Sequence, residues 1–588
     1  LQGYTALGRL RSGATQAQAQ DQMATIAASL AAEYPRDNQG WTVRLESFQH
    51  ALAGDLRPTL LLLFGSAAVL LLVAAVNLAN MLLARAAGRQ REMALRRAVG
   101  AGTGRLVRQL LTENLVLAGV GGALGVLGAV WGVDLWRAAW TDPSGSPAQA
   151  GVDWRVVVFA LATTVATALL FGLAPALRIT RAGLSDMLRG ATTTSRLRPM
   201  GRVLVAGEIA LALLLGIGGS LLVRSLLRLQ AVDPGFDAEG VLTARVALPA
   251  AGYTEPKRVI AFYQEFLRAV GALPGVTAAG AAEPVPFTSG GGSYGFAIQG
   301  RPASPVQEWP IADWVSTTPD YFQALRIRLV RGRLLDARDD GGSPDVMVIN
   351  ETMARRFWPG QDPVGARLTF EAGQKHWIEV VGVVADVRSQ DLGRPAIPQV
   401  FVAHAQWGDP TLSLAVRTSG DPLALAAPIR AILRRLDPEI PLADVRTMEQ
   451  TLAASTVPAR LRTAIFGGFA TLALVLAAVG IYGVMAYLVS QREREIAVRM
   501  ALGARRGEVV RGVIAHSLRL AAPGLILGLA GAVAAGRALR AFLYQVTPTD
   551  PVVLGLVATG VALLVTAVAM VPARRAANTD AMAALRAD

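Results

Sequence analysis

Residues 89–101 read R-Q-R-E-M-A-L-R-R-A-V-G-A, and residues 492–504 read R-E-R-E-I-A-V-R-M-A-L-G-A. Glu92 corresponds to Glu495 at an offset of 403. The register holds into the next apolar run, where Gly121, Gly125 and Gly128 meet Gly524, Gly528 and Gly531. An ordered repeat of this length marks a duplicated structural unit rather than a bias of composition. Wound as a helix, each copy places Arg89, Glu92 and Arg96, or Arg492, Glu495 and Arg499, on one face. The Glu-before-Arg pair in each adds about 0.2–0.5 kcal/mol. Small apolar residues (Met93, Ala94, Ala98; Ile496, Ala497, Met500, Ala501) take the other side, and Gly100 or Gly503 closes the helix. Both copies lie between long apolar runs. A basic loop that sets membrane topology needs arginines only. Glutamate at a fixed spacing, small apolar residues opposite and the whole order repeated point instead to a docking surface for a soluble partner on the cytoplasmic side.

Of the 588 residues, 52% are hydrophobic and 17% charged, and the mean hydropathy is +0.40, a membrane-protein composition. The formal net charge is +14, carried almost wholly by arginine, since the lysines are Lys257 and Lys375. These arginines cluster beside apolar runs, which is the pattern of membrane topology and not of nucleic-acid binding. The absence of cysteine excludes disulfides, thiol catalysis and Cys-ligated metals. The chain begins at Leu1 with no signal-like segment, and is expected to be a piece of a longer protein cut upstream.

Seven runs are long enough to span a bilayer, at 58–84, 106–136, 154–177, 203–223, 462–489, 509–542 and 552–571. The arginine-rich connections 85–105, 178–202 and 490–508 and the tail 573–588 are assigned to the cytoplasm. The connections 137–153 and 543–551, nearly free of basic residues, are assigned outside. Residues 1–57 and 224–461 then both lie outside. The expected class is a membrane α-helical protein with about seven transmembrane helices and an inserted α+β extracytoplasmic domain. Its divisions are the C-terminal remnant of a first extracytoplasmic domain at 1–57, a first three-helix permease-like unit at 58–177 that lacks its initial span, a cytoplasmic linker at 178–202, the first span of a second unit at 203–223, the outer domain at 224–461, three further spans at 462–572 and a cytoplasmic tail at 573–588. Within 1–57, residues 15–34 have helical spacing ended by Pro35, and 41–48 reads as a strand. In the outer domain, helices are expected at 256–273 and 422–436, strands at 346–350, 378–384, 400–403 and 412–417, and a long loop at 284–310. Both three-span sets end alike: Pro175-Ala176 and Arg178 match Pro572-Ala573 and Arg575 at an offset of 397.

Neither lysine follows a glycine, so no G-x-x-x-x-G-K-[ST] phosphate loop occurs. His50, His376, His404 and His516 are scattered and form no metal-binding spacing, and no cofactor is expected. Gly291-Gly292-Ser293-Tyr294-Gly295 fits G-x-S-x-G but lacks the strand-to-helix context of a nucleophile elbow, and reads as a flexible loop. Glu113 and Glu208 fall within apolar runs, where an ionisable group is a functional candidate. Both sit near the expected cytoplasmic ends, where arginines of the adjoining loops could pair with them. Asn77 and Asn80 read as interhelical hydrogen-bonding residues, and Gly121/Gly125, Gly128/Gly132 and Gly524/Gly528 as close-packing pairs.

The chain resembles FtsX-like permeases of the macrolide-exporter (MacB) type, membrane subunits of bacterial ABC systems. The resemblance rests on R-E-[MI]-A-[LV]-R-x-A-[VL]-G-A at 91–101 and 494–504, and on the Pro-Ala-x-Arg exits. It rests also on an outer-domain signature: Val232-Asp233-Pro234-Gly235-Phe236, Leu273-Pro274-Gly275-Val276, Tyr321-Phe322-Gln323-Ala324-Leu325, Arg331-Gly332-Arg333, Arg356-Phe357-Trp358-Pro359-Gly360, Asp362-Pro363-Val364-Gly365 and Val380-Val381-Gly382-Val383-Val384. The doubling is similar to tandem-duplicated orphan permeases of acidobacterial type. The resemblance implies that the ATPase is a separate subunit, that each repeated helix is a coupling helix docked on it, and that the protein resides in the bacterial inner membrane. It implies export or force transmission to the outer domain, where envelope proteins or an export substrate would bind. A non-transporting scaffold or signalling protein is the alternative, and a hydrolase using Ser293 is a third reading.

Overall fold

The computed structural model describes residues 7–38, 42–48, 57–88, 103–139, 151–181, 193–288, 290–302, 305–371, 373–490, 493–502 and 504–578. The chain divides into two compact units, Leu1–Gly54 with Leu229–Pro458, and Asp55–Arg228 with Ala459–Asp588.

Helix α1 (Gln16–Glu33) begins at Thr15, whose hydroxyl accepts from the Gln18 N–H while the Gln18 side chain accepts from the Thr15 N–H. The strand expected at 41–48 does not form. Residues 42–47 have no ladder partner among the described residues, and their backbone is held by a glutamine of α1. Gln20 Nε2 donates to Val43 O at 2.6 Å, and Gln20 Oε1 accepts from the Leu45 N–H at 2.7 Å.

Four long helices follow, α2 (Arg57–Gly88), α3 (Thr103–Ala139), α4 (Trp154–Arg181) and α5 (Thr193–Gln230). The outer domain then runs β1 (Val241–Ala247), α6 (Pro256–Gly271), β2 (Val276–Glu283), β3 (Gly292–Gly295), β4 (Ala297–Ile298), β5 (Ile311–Thr317), β6 (Leu329–Gly332) and β7 (Val346–Asn350). It continues with α7 (Glu351–Phe357), β8 (Arg367–Thr369), β9 (Ile378–Val384), β10 (Gln399–Ala403), β11 (Thr411–Thr418), α8 (Ala426–Leu436), β12 (Ala443–Thr447) and α9 (Met448–Ser455). The chain closes with α10 (Val457–Ser490), α11 (Glu493–Ala501), α12 (Arg506–Leu539) and α13 (Pro551–Ala577).

The strands form one sheet in the order β12-β1-β11-β2-β5-β10-β7-β9-β8-β4, with β3 added on β5 and β6 on β9. Its first four strands have a clear logic. β1 is antiparallel to both β11 and β12, and β11 is antiparallel to β2. Strands β1 and β2 are thus parallel and joined by α6, and β11 and β12 are parallel and joined by α8. This is two interleaved split β-α-β units, a ferredoxin-like half, with β3–β10 inserted between its strands β2 and β11. Helix α6 turns Val259, Phe262, Tyr263, Phe266 and Val270 onto this half, and α8 adds Ile429, Ile432 and Leu433. The Tyr263 hydroxyl ties the layers together, with Val246 O at 2.9 Å and the Leu412 N–H at 3.1 Å. In the inserted half, β7 and β10 are buried along their whole length, the mark of strands covered on both faces. The loop expected at 284–310 contains β3, β4 and a 3₁₀ turn at Val306–Glu308, because the short Gly-Ser-Tyr-Gly run finds β5 as a ladder partner.

His404 is buried at the start of a short helix, and its Nε2 lies 3.0 Å from the Asp409 carbonyl, so that nitrogen carries the proton it donates. Burial pushes its pKa below the ordinary value of about 6.5. The unfolded chain therefore binds more protons than the folded one as pH falls below about 6.5, and stability drops in that direction. Glu283, pushed up by burial, acts with the opposite sign above its ordinary range. The acid-side loss of thermal stability between about pH 6.5 and 5 is thus expected to be smaller in His404→Gln than in the unsubstituted chain. Parallel melting curves of the two proteins over that window would refute it.

Among the described residues, six helical segments are long and apolar enough to cross a membrane: Arg57–Met81, Leu111–Leu135, Arg202–Gln230, Val457–Ser490, Arg506–Phe542 and Pro551–Ala577. Seven were expected. The remaining run lies in α4, where the apolar stretch found among the described residues, Trp154–Leu169, is shorter than the others.

Candidate functional site

The second copy of the repeat is helix α11, a short element between the long helices α10 and α12. Arg499 Nη2 donates to Glu495 Oε1 at 2.7 Å, so the spacing of four does bring the pair together. Both side chains are more than half exposed, at 53% for Glu495 and 68% for Arg499. Val498 and Leu502 are exposed on the same side as this pair, and they extend it with an apolar edge. Met485 and Val489 of α10, Ile496 and Arg499 of α11, and Glu508 and Gly512 of α12 line a cleft of about 600 Å³. Glu508 also accepts from the Arg505 N–H at 3.3 Å, closing the first turn of α12. An exposed ion pair flanked by exposed Val498 and Leu502 is a surface able to contact another protein. Arg89, Glu92, Arg96 and Gly100 of the first copy, and Arg492 and Gly503 of the second, lie outside the described residues.

The intramembrane candidates separate into two sets. Glu208 of α5 is fully buried, and the pairing found for it is not the expected loop arginine. Its Oε2 accepts from Asn80 Nδ2 of α2 at 3.3 Å. The reason is Gly480 of α10. A Cβ built there would stand 2.4 Å from both carboxylate oxygens, so only glycine lets the carboxyl seat between the helices. Asn77 Nδ2 donates to Leu476 O of α10 at 3.0 Å. A polar seam thus joins the first repeat, through α2, to α5 and α10 of the second. Glu208 Oε1, Asn77 Oδ1 and Asn80 Oδ1 have no hydrogen-bond partner within it. Glu113 stands apart, half-buried on α3, and accepts from Gln109 Nε2 one turn earlier at 3.2 Å.

The glycine pairs also divide. A Cβ at Gly524 would lie 2.6 Å from Ala206 O, and one at Gly528 would lie 2.9 Å from Ala210 O, so α12 and α5 cross backbone to backbone. Among the described residues, a Cβ at Gly121, Gly125, Gly128 or Gly132 of α3 meets nothing within 4 Å.

In the outer domain the signature residues are architectural. Gly235 holds φ +84°, and a Cβ there would fall 1.9 Å from Asp386 O, while Asp233 Oδ1 accepts from the Gly235 N–H at 2.8 Å. Arg333 makes paired bonds of 2.7 Å to both oxygens of Asp339, and a Cβ at Gly382 would lie 2.0 Å from Arg333 O. Tyr321, Phe322 and Trp358 are core side chains. Ser293 lies on β3, not on a flexible loop, and its hydroxyl donates to Asp313 of the neighbouring strand. The chain continues from it into β4, so the strand–turn–helix of a nucleophile elbow is missing. Sequence reading missed Arg417, whose guanidinium is buried in β11 among the carbonyls of Ala324, Glu239 and Asp237, each at 2.7 Å. A lone arginine directly following the run Leu412–Val416, at the end of an expected strand, was the signal.

Residues 64–184 and 467–581 match the FtsX-like permease C-terminal family, and 209–432 match the MacB-like periplasmic core domain. The pyoverdine export ATP-binding/permease protein PvdT of Pseudomonas syringae pv. tomato is 30% identical over 294 residues, which are 47% of this chain and 43% of that protein. The macrolide export ATP-binding/permease protein MacB of Neisseria gonorrhoeae is 23% identical over 281 residues, 46% of this chain and 42% of the relative. The chain therefore spans less than half the length of these curated relatives. Among solved structures, the periplasmic region of MacB from Actinobacillus actinomycetemcomitans is 13% identical and matches with a TM-score of 0.27, covering 39% of this chain and 97% of that one. Two permease matches flank one outer-domain match, five of the six apolar helices overlap the former while α5 and strands β1–β11 overlap the latter, and the chain is a multi-pass membrane protein that carries two FtsX-like permease regions around a MacB-like periplasmic core domain.

Proposed function

We propose that this chain is the membrane subunit of a bacterial inner-membrane ABC system, and that it couples ATP hydrolysis by a separate subunit to movement of its outer domain. The observation that carries the reading is the repeated helix. Its second copy is an exposed ion-paired segment set between two long apolar helices, and no phosphate loop occurs in the 588 residues. Each copy docks one ATPase subunit. Because Asn77 and Asn80 of the first repeat bond to Leu476 and Glu208 of the second, one chain supplies both halves of the permease, and two ATPase subunits bind per chain. Envelope proteins or an export substrate engage the outer domain.

The orientation is tested directly, since the chain has no cysteine to remove. Gln390 is exposed on the outer domain. A cysteine at Gln390 is expected to react with a membrane-impermeant maleimide in intact spheroplasts, and one at Leu502 only after lysis. The reverse pattern would overturn the topology and the docking role with it.

A further inference from the structure

The polar seam between α2, α5 and α10 holds more acceptors than donors. Glu208 is fully buried, and Asn77 and Asn80 are 4% and 5% exposed. Among the described residues, nothing donates to Glu208 Oε1, Asn77 Oδ1 or Asn80 Oδ1. The amide donors of the seam are already used, Asn80 Nδ2 on Glu208 Oε2 and Asn77 Nδ2 on Leu476 O. Turning either amide over would set its oxygen against one of those acceptors. Asn77 and Asn80 are three residues apart and share one side of α2, as Leu476 and Gly480, four apart, share one side of α10. The three oxygens without a donor therefore belong to one seam, about a helical turn long.

The two repeats contribute unlike parts to it. At the offset of 403, Asn77 and Asn80 correspond to Gly480 and Gly483. One repeat brings the amide side chains, and the other brings, at Gly480, the space in which the Glu208 carboxyl rests. The surroundings are apolar. Ala212, Ala473 and Ala477 pack together one turn along the seam, and Ile209, next to Glu208, packs in the same core as Ile481.

Charge and donor count select the ligand. A buried carboxylate is stable when it is paired with a charge or coordinates a metal, and here its hydrogen bond comes from a neutral amide. A single positive charge balances it, whereas a divalent ion would leave a net positive charge in an apolar site. Carboxylate and amide oxygens are hard donors and suit hard cations rather than soft metals. A proton on Oε1 would also balance the charge. Its one O–H can serve only one of the two amide oxygens, and the other would stay without a partner.

We propose that Glu208, Asn77 and Asn80 form a binding site for one small monovalent cation, sodium, held by Glu208 Oε1 and the two amide oxygens. The ion neutralises the carboxylate, satisfies the three oxygens and ties α2 of the first repeat to α5 and α10 of the second. The site exists whether or not an ATPase docks at α11.

The test uses the 588-residue chain in nanodiscs, with sodium chloride against choline chloride at one pH and one ionic strength. The melting temperature of the unsubstituted chain is expected to rise with sodium and then level off, as binding to the folded state requires. E208Q removes the charge and adds an amide donor, and its melting temperature is expected not to respond to sodium. Asn77→Ala with Asn80→Ala is expected to raise the sodium concentration of half effect about tenfold or more, the scale on which supporting contacts at a metal site are felt. A hydrophobic carbodiimide, read by mass spectrometry at Glu208, needs no substitution. Sodium at about ten times its half-effect concentration is expected to slow that labelling about tenfold, by mass action. Melting temperatures equal in sodium and choline, labelling that proceeds equally in both, or a sodium response that survives in E208Q means that water or a proton alone fills the seam, and overturns the proposal. The labelling comparison stands even where a substituted chain does not fold.

Discussion

Arg417→Met is expected to destabilise the outer domain by about 3–5 kcal/mol, the cost of removing one member of a buried charged network. The side chain donates to Ala324 O, Glu239 O and Asp237 O, and it stands 3.4 Å from the Asp237 carboxylate. Methionine fills the volume but leaves three carbonyls without donors. Asp237 keeps Arg326, at 2.8 Å, so the carboxylate itself is not wholly abandoned, which places the effect inside that range rather than above it. Arg417→Lys should fall between, because one ammonium cannot reach three carbonyls fixed for a planar fork. Arg394→Met, at an exposed site, should shift stability by no more than about 0.5 kcal/mol. Hydrogen exchange of β11 in the full chain measures this directly. Native-like protection of β11 in Arg417→Met would show that the network is dispensable.

Converting Glu92 and Glu495 together to glutamine is expected to leave the chain folded and inserted but to weaken ATPase binding by about 2–5 kcal/mol, the cost of removing one partner of a charge pair desolvated at an interface. Within the chain, Glu495 has little to lose. Its pair with Arg499 is exposed and on one helix, worth about 0.3–0.5 kcal/mol. Co-purification of the ATPase and stimulation of its turnover in nanodiscs would separate the two scales, with Gln90→Ala as the neighbouring control. Undiminished binding in the double variant would reduce the repeat to a topology signal and remove the main support for docking.

The polar residues show where sequence reading stopped. Glu113 and Glu208 look alike on paper, each a single carboxylate in an apolar run. They part in three dimensions because Glu208 is fully buried against a glycine on α10 and an asparagine on α2, while Glu113 is half-buried and accepts from Gln109 on its own helix. Those neighbours come from positions far away in the chain. The sites at Gly524 and Gly121 are identical in local sequence pattern too, and only the presence of α5 over one of them makes them differ. In the outer domain, β7 and β9 were legible as short runs rich in valine and isoleucine. Strand β3 was not, because glycine and serine have little intrinsic preference for strands, and this one exists only through its pairing with β5.

By itself, the sequence determined the membrane class, the duplication, the exposed helix with its Glu495–Arg499 pair and most of the long elements. All of these depend on periodicity and on contacts within a few residues, which local order encodes. The tertiary structure decided the interleaved sheet order, the burial of Arg417, the partners of Glu208 and the difference between the covered and the open glycine face. Each depends on which distant segment arrives at a given surface, and in packed helices and sheets that is fixed by side-chain volume and hydrogen-bond satisfaction at the contact, not by the pattern along either segment alone.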